Sequence, residues 1–259
     1  MRQVAFFEDL GSGRFRATEH TVGPWDERFQ HGGPPSALMA RALEQVDPRP
    51  EMMVARMTVE ILGPIPVAEL IVTANVVRPG RSVELLQATL SHEGRDVARA
   101  AAWRIGRTRG VAIPSRAEPP PALPEEQEAT SGRGWDSGYL RAMEWRWAVG
   151  HIRQAGPATG WGRMRMPLLE GEEPSSLSRV MTLADSGNGA SSELRIEEWN
   201  FINPELSVHL HREAVGEWIC LDSVTTVSEG GVGLATSRLS DLDGPIGVGA
   251  QSLLVSPRR

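Results

Sequence analysis

Asp185, Asn203 and Gln251 are the residues whose types and places suggest chemistry. A carboxylate can take up a proton, and each side-chain amide can both donate and accept hydrogen bonds. All three stand in the second half of the chain, where an internal repeat puts Val46, Val54 and Ala101 in the first. One polar replacement of a core residue means little; three in the same copy suggest a site. The first half contributes a different feature, His31-Gly32-Gly33 ahead of a helix, where the second half has Glu170-Gly-Glu172. Gly33 lets the backbone approach a ligand closely, and the free N–H groups of a helix N-terminus suit an oxyanion. Asp185 itself ends an almost wholly apolar stretch, Leu177 to Ala184. Burial and the negative end of the helix dipole make a carboxylate costly there. The plain alternative is a helix C-cap or an Asx-turn into Gly187.

The elements that must position these groups follow from periodicity and punctuation. Residues 2–8 and 13–22 alternate like strands around Gly11-Ser-Gly13. A buried helix over 36–46 follows Pro34 and Pro35, which sit without cost in a first turn. Strands over 53–62, 68–78, 82–92 and 97–106 are separated by Gly-Pro, Pro-Gly-Arg and Glu-Gly turns. A polar, proline-rich stretch then breaks the pattern. After it come strands over 139–149 and 159–166, a helix opened by Pro174, and strands over 194–202, 206–212, 218–228, 231–240 and 248–255. One helix laid against a run of antiparallel strands, twice, is an α+β chain. The expected organisation is a first unit over 1–110, a linker over 111–136 and a second unit over 137–259.

The two units read as copies. Met57-Thr-Val-Glu-Ile61 aligns with Leu206-Ser-Val-His-Leu210, 149 residues later, and Ala100–Trp103 with Ala250–Leu253, 150 later. The helices align at 139, Pro35-Ser-Ala-Leu38 on Pro174-Ser-Ser-Leu177. Such copies pack about an approximate two-fold axis. The simplest assembly sets the Gly33 helix start opposite Asp185, Asn203 and Gln251.

Composition excludes several classes. A net charge of −6 argues against nucleic acid as partner. All 27 basic residues are arginine. One cysteine, Cys220 in an apolar run, excludes an intrachain disulfide framework and is expected in the core. No signal peptide and no apolar run of about 18 residues is visible, so a cytoplasmic protein without a membrane span is expected. His209 and His211 share a strand face but lack a third ligand nearby, so no metal and no cofactor are expected. Arg78, Arg81, Arg212 and Arg238 are candidate phosphate contacts, or simply solvated surface. Trp145 and Trp147 are expected on one sheet face, at a substrate mouth or an oligomer contact. His31 is read as a solvated loop histidine more readily than as a catalytic one. A Gly-x-Ser-x-Gly elbow is absent, which speaks against a serine hydrolase.

The Gly-Gly helix start, Arg56-Met-Thr-Val-Glu-Ile-Leu-Gly-Pro64 and Val77-Arg-Pro-Gly-Arg-Ser-Val83 resemble the N-terminal half of the acyl-CoA thioesterase II-like, double-hotdog proteins. Leu183-Ala-Asp185-Ser, Asn203–Arg212 and Ala250–Val255 resemble the C-terminal half. The resemblance implies two tandem hotdogs, an acyl-CoA substrate and a homo-oligomer built from such chains. It implies an Asp on the second helix, a Thr or Asn on the next strand and a Gln on the last strand as the catalytic set. These fall on Asp185, Asn203 and Gln251. Asp185 would take the proton of a water that the two amides orient, and a backbone amide near Gly33, with Gly32 and His31, would meet the substrate carbonyl. The acyl chain would run between the two helices and the sheet, among residues such as Leu38, Met39, Leu177 and Met181, although plain core packing is the better reading for any one of these four. A binding hotdog without turnover, and a hydratase using His31, are the other readings of the same fold.

Overall fold

Apolar–polar alternation drives most of this chain into antiparallel strands. In the computed structural model, which describes residues 4–111, 113, 116–128 and 136–258, they pair into one thirteen-stranded sheet. The first half holds β1 (Phe7–Gly11), β2 (Arg14–Ala17), α1 (Gly33–Gln45), β3 (Met52–Ile61), β4 (Glu69–Arg78), β5 (Val83–His92) and β6 (Arg95–Gly106). The second half holds α2 (Gly138–Ala142), β7 (Met143–Val149), β8 (Ala158–Met164), α3 (Ser176–Ala184), α4 (Gly187–Ala190), β9 (Trp199–Ile202), β10 (Glu205–Leu210), β11 (Ile219–Val227), β12 (Val232–Asp241) and β13 (Gly244–Pro257). The order across the sheet is β1-β2-β4-β5-β6-β3-β10-β13-β12-β11-β8-β7, with β9 added beside β13. The order reads as two equivalent runs meeting where β3 pairs with β10.

That central pairing fixes the pseudo-symmetry. Thr58 faces Ser207 across the ladder, their hydroxyls 3.1 Å apart, and the two positions differ by 149. The repeat therefore meets itself at this pair. The ladders also correct the alignment: Leu86 pairs with Ala102 as Ala235 pairs with Gln251, both members shifted by 149. The counterpart of Gln251 is Ala102, not Ala101. In a strand a one-residue slip exchanges the faces, and both Gln251 and Ala102 point inward, at 1% and 0% exposure.

The sheet's inner face buries α1 and α3, which run antiparallel against each other. Neither helix could stand in water. Leu38, Met39, Leu177 and Met181 are all buried, and each contributes about 1.5–3 kcal/mol by leaving water. The contact is tight: a Cβ on Gly33 would lie 2.1 Å from the Thr182 carbonyl oxygen. Those four residues are core, the plainer of the two readings the sequence offered for them. At the C-termini, Val46 caps α1 and Asp185 caps α3, related by the same 139 positions that align the helices.

At the opposite end of the helix pair, Ser175 caps α3 by accepting from the Ser178 N–H at 3.0 Å and donates to Glu44 Oε2 at 2.5 Å. Burial, helped by Glu213 and Glu172, raises the Glu44 pKa to about 7. The folded chain thus keeps a proton on Glu44 between its ordinary pKa, near 4.5, and about 7, where the unfolded chain has released it. Stability must fall as pH rises through that window. Glu44→Gln, neutral throughout, is expected to melt at a few degrees above wild type at pH 8, with the gap closing by pH 4.5. The difference amounts to about 1–2 kcal/mol after solvent screening. A pH-independent difference between the two melting curves would remove Glu44 from the account.

Other expectations shift locally. Thr18 caps a short 3-10 turn over Glu19–Thr21, ending β2 early. The strand expected over 139–149 begins as α2, with Ser137 as its N-cap, and only Trp199–Ile202 of 194–202 is strand. The Arg195 carbonyl accepts from the Glu198 and Trp199 amides and holds the preceding residues in a turn. Of the proline-rich stretch, residues 112, 114, 115 and 129–135 lie outside the described residues. Residues 116–128 run along the second half's sheet: Leu123 packs on Trp161, Trp218 and Cys220, and Gln127 exchanges two hydrogen bonds with the Trp147 backbone. Trp145 and Trp147 do share a face, stacked at 5.3 Å, but their rings fill space left by Gly160 and Gly162. They are packing residues. Cys220 is buried as expected, its thiol pushed up to about 12 by desolvation.

Candidate active site

The antiparallel helix pair brings the C-terminus of α3 onto the N-terminus of α1, and there Asp185 meets Gly32. The carboxylate is only 4% exposed. It lies so close to Gly32 that a Cβ there would be 2.7 Å from Oδ2 and 3.0 Å from Cγ. The negative end of α3 does disfavour a charge at this position, but the positive end of α1, a thirteen-residue helix without a side-chain cap, faces it. Two helix ends of opposite sign meet at one carboxylate.

The three polar residues singled out by the repeat converge here. Asn203, just before β10, donates from Nδ2 to Asp185 Oδ1 at 2.9 Å and to the Glu205 carbonyl at 3.2 Å. Turning its amide over would set oxygen against two oxygens, so its own Oδ1 is left as an acceptor. Gln251, on β13, donates to the Asp185 carbonyl at 3.1 Å and to Oδ1 at 3.3 Å, while its Oε1 accepts from the Asn188 N–H at 3.0 Å. Gln251 is wholly buried behind Asp185 and does not reach the cavity. Its amide is consumed in holding the carboxylate and the first turn of α4. Behind it, Ser223 and Ser237 share a hydrogen bond of 2.8 Å, where the 149-residue shift places Ala74 and Ala88 in the first half. The polar intrusion is therefore larger than three residues.

His31 is where structure departs most from the sequence-based expectation. It is not solvated. Its side chain is 13% exposed, with Nδ1 3.2 Å from Asp185 Oδ2. The Gly33 N–H donates to the same Nδ1 at 3.1 Å. The ring stacks on Tyr139 with centroids 3.7 Å apart and planes 8° from parallel. Tyr139 is fixed in turn: its hydroxyl donates to the Thr182 carbonyl at 2.9 Å and lies 2.8 Å from Ser186 Oγ. Burial holds the His31 pKa below its ordinary value, against the opposing pull of Asp185. Burial likewise raises the Tyr139 phenol. Tyr139, the chain's single tyrosine, was not a sequence candidate; its strand-like surroundings carried no signal of a role here.

A cavity of about 500 Å³ opens on this group. Asp185, Asn203, His31 and Gly32 line it together with Gln30, Ser186 and Asn188, and most of the remaining wall is apolar, including Trp25, Phe29, Ile61, Leu140, Ile152 and Phe201. It lies between the loop before α1, the end of β3 and the segment joining α4 to β10. Trp25 meets Phe201 edge-on at 4.9 Å. Gly33 does not line it. The glycine at 33 serves the approach of α1 to α3, and the one at 32 the approach to Asp185. Of the arginines considered for phosphates, Arg212 is held by Asp241 and Arg238 by Asp222, while Arg78 bonds the Val83 carbonyl.

Models of the acyl-CoA thioesterase N-terminal and C-terminal domains match residues 21–105 and 114–255. A search of curated proteins finds no match. Among solved structures, a conserved protein with a hot dog fold from Alicyclobacillus acidocaldarius is similar at 16% identity and TM-score 0.74, covering 97% of this chain and 95% of that one. The tesB protein of Mycobacterium avium subs paratuberculosis is similar at 18% identity and TM-score 0.67, covering 97% and 96%. An acyl-CoA thioesterase II of Mycobacterium marinum matches at 15% identity and TM-score 0.67, covering 97% and 94%. At these identities the structures speak for the fold. With both domain models matched in order over most of the chain, it belongs to the acyl-CoA thioesterase family, as a thioester hydrolase of double-hotdog fold.

Proposed function

We propose that the chain hydrolyses an acyl-CoA thioester to free acid and CoA, with Asp185 as the base that deprotonates the attacking water. The observation that carries this reading is the Asp185 carboxylate itself, buried, held at Oδ1 by two amides, and lining a largely apolar cavity. A buried carboxylate held this firmly is preorganised to take a proton without first reorganising solvent. Asn203 Oδ1, free of its own Nδ2 contacts, accepts a hydrogen bond from the water. Gln251 positions Asp185 and does not touch the water, a narrower role than the family resemblance implied. The Gly33 N–H is engaged by His31, so the carbonyl is polarised by the Gly32 N–H. Gly32 lines the cavity, and its N–H has no protein acceptor among the described residues. The acyl group enters the apolar part of the cavity, against Trp25, Phe29 and Phe201.

Thiol release from a panel of acyl-CoAs tests the reading. Wild type should release CoA and acid in equal amounts from at least one member. Saturable binding of acyl-CoA without thiol release would make the chain a binding hotdog instead.

A further inference from the structure

His31 has two nitrogens with different surroundings. Nδ1 accepts from the Gly33 N–H, which places the proton of the neutral ring on Nε2. Nε2 has no protein partner among the described residues, and the ring lines the cavity. Nδ1 also stands 3.2 Å from Asp185 Oδ2. Two acceptors held this close repel until a proton lies between them. That proton is the one Asp185 takes from water. Tyr139 below and the bond from the His31 N–H to the Thr21 carbonyl keep the ring from turning away.

We propose that His31 is a catalytic residue that relays the water's proton from Asp185 to the departing CoA sulfur. This rests on Asp185 acting as the base. Water loses a proton to Asp185 Oδ2, and its hydroxide forms the new C–O bond at the thioester carbon. The C–S bond then breaks, and the sulfur leaves with the bonding pair. Nε2–H protonates that thiolate while Asp185 returns its proton to Nδ1, whose single lone pair the Gly33 N–H releases in the same step, so the acid and the thiol leave and neither side chain gains a net proton. Exchange with solvent through the cavity restores the tautomer. The titratable groups facing the ring are Asp185 and Tyr139. Tyr139 donates its hydroxyl proton away from the ring, to Thr182.

The test uses the leaving group. The probes are the acyl-CoA that wild type hydrolyses fastest and the S-phenyl thioester of the same acid, whose thiol is far more acidic and needs no proton to depart. His31→Gln should lower kcat/KM on the CoA ester by about 100-fold and on the phenyl ester by less than about threefold. The phenyl ester rate also reports that the variant is folded. If His31→Gln folds poorly, His31→Asn, whose amide can stand at the Nδ1 position, carries the same comparison. An equal loss on both esters, or no loss on the CoA ester, overturns the relay. Absence of acyl-CoA hydrolysis by wild type overturns the thioesterase reading, and the relay with it.

Discussion

Asp185→Asn is expected to lower kcat by about 10³- to 10⁴-fold while KM changes by less than about threefold. The substitution suits this test because the site accommodates it. The new side-chain oxygen can stay at the Oδ1 position and accept from Asn203 and Gln251. The new NH2 then stands at Oδ2, where it can share the His31 Nδ1 lone pair with the Gly33 N–H. A repulsive pair of acceptors becomes a hydrogen bond, so the melting temperature should hold or rise. Loss of the base without loss of the fold is the signature sought. A variant that retains wild-type kcat would leave the carboxylate as a helix cap and nothing more.

The adjacent glycines should fail in different ways. In Gly33→Ala the new Cβ would lie 2.1 Å from the Thr182 carbonyl oxygen, which is backbone and cannot swing aside. The helices must separate along their whole contact, so the variant should lose at least about 3 kcal/mol of stability or fail to accumulate folded. In Gly32→Ala the Cβ would meet the Asp185 carboxylate, a side chain that can rotate. That variant should fold, lose about 100-fold in kcat because the base is displaced by about 1 Å, and keep its melting temperature within a few degrees. Comparing urea midpoints and kcat for the two variants checks both. A stable Gly33→Ala would contradict the helix packing, and an active Gly32→Ala would contradict the placement of the base.

Much of this was legible in the sequence because the physics is local. Strand alternation and Gly or Pro turns located the ladders, and duplication gave each half an internal standard. A polar residue such as Asn203, against Val54, then stood out as an intrusion. What was not legible depends on distance. Ala100 to Ala102 are three identical residues, so only the ladder could tell that Ala102 is the counterpart of Gln251. His31 reads as a loop residue because Tyr139, which buries it, lies more than 100 residues away across the proline-rich stretch. The cavity was hidden for a similar reason: nothing local to Gly33 reveals that its missing Cβ closes α1 onto α3 and leaves the open volume at Trp25, Phe29 and Phe201. Glu44 looked like an ordinary helix carboxylate until the N-cap of α3 met it.

In the proposed mechanism Asp185 activates water and does not itself attack the thioester. A single turnover in water enriched in oxygen-18, with enzyme in excess over acyl-CoA, tests it most directly. Water activation should leave one labelled oxygen in the product acid from the first turnover and no label in the peptide carrying Asp185. Unlabelled acid from that turnover, with the label in Asp185, would show a covalent anhydride and contradict the account.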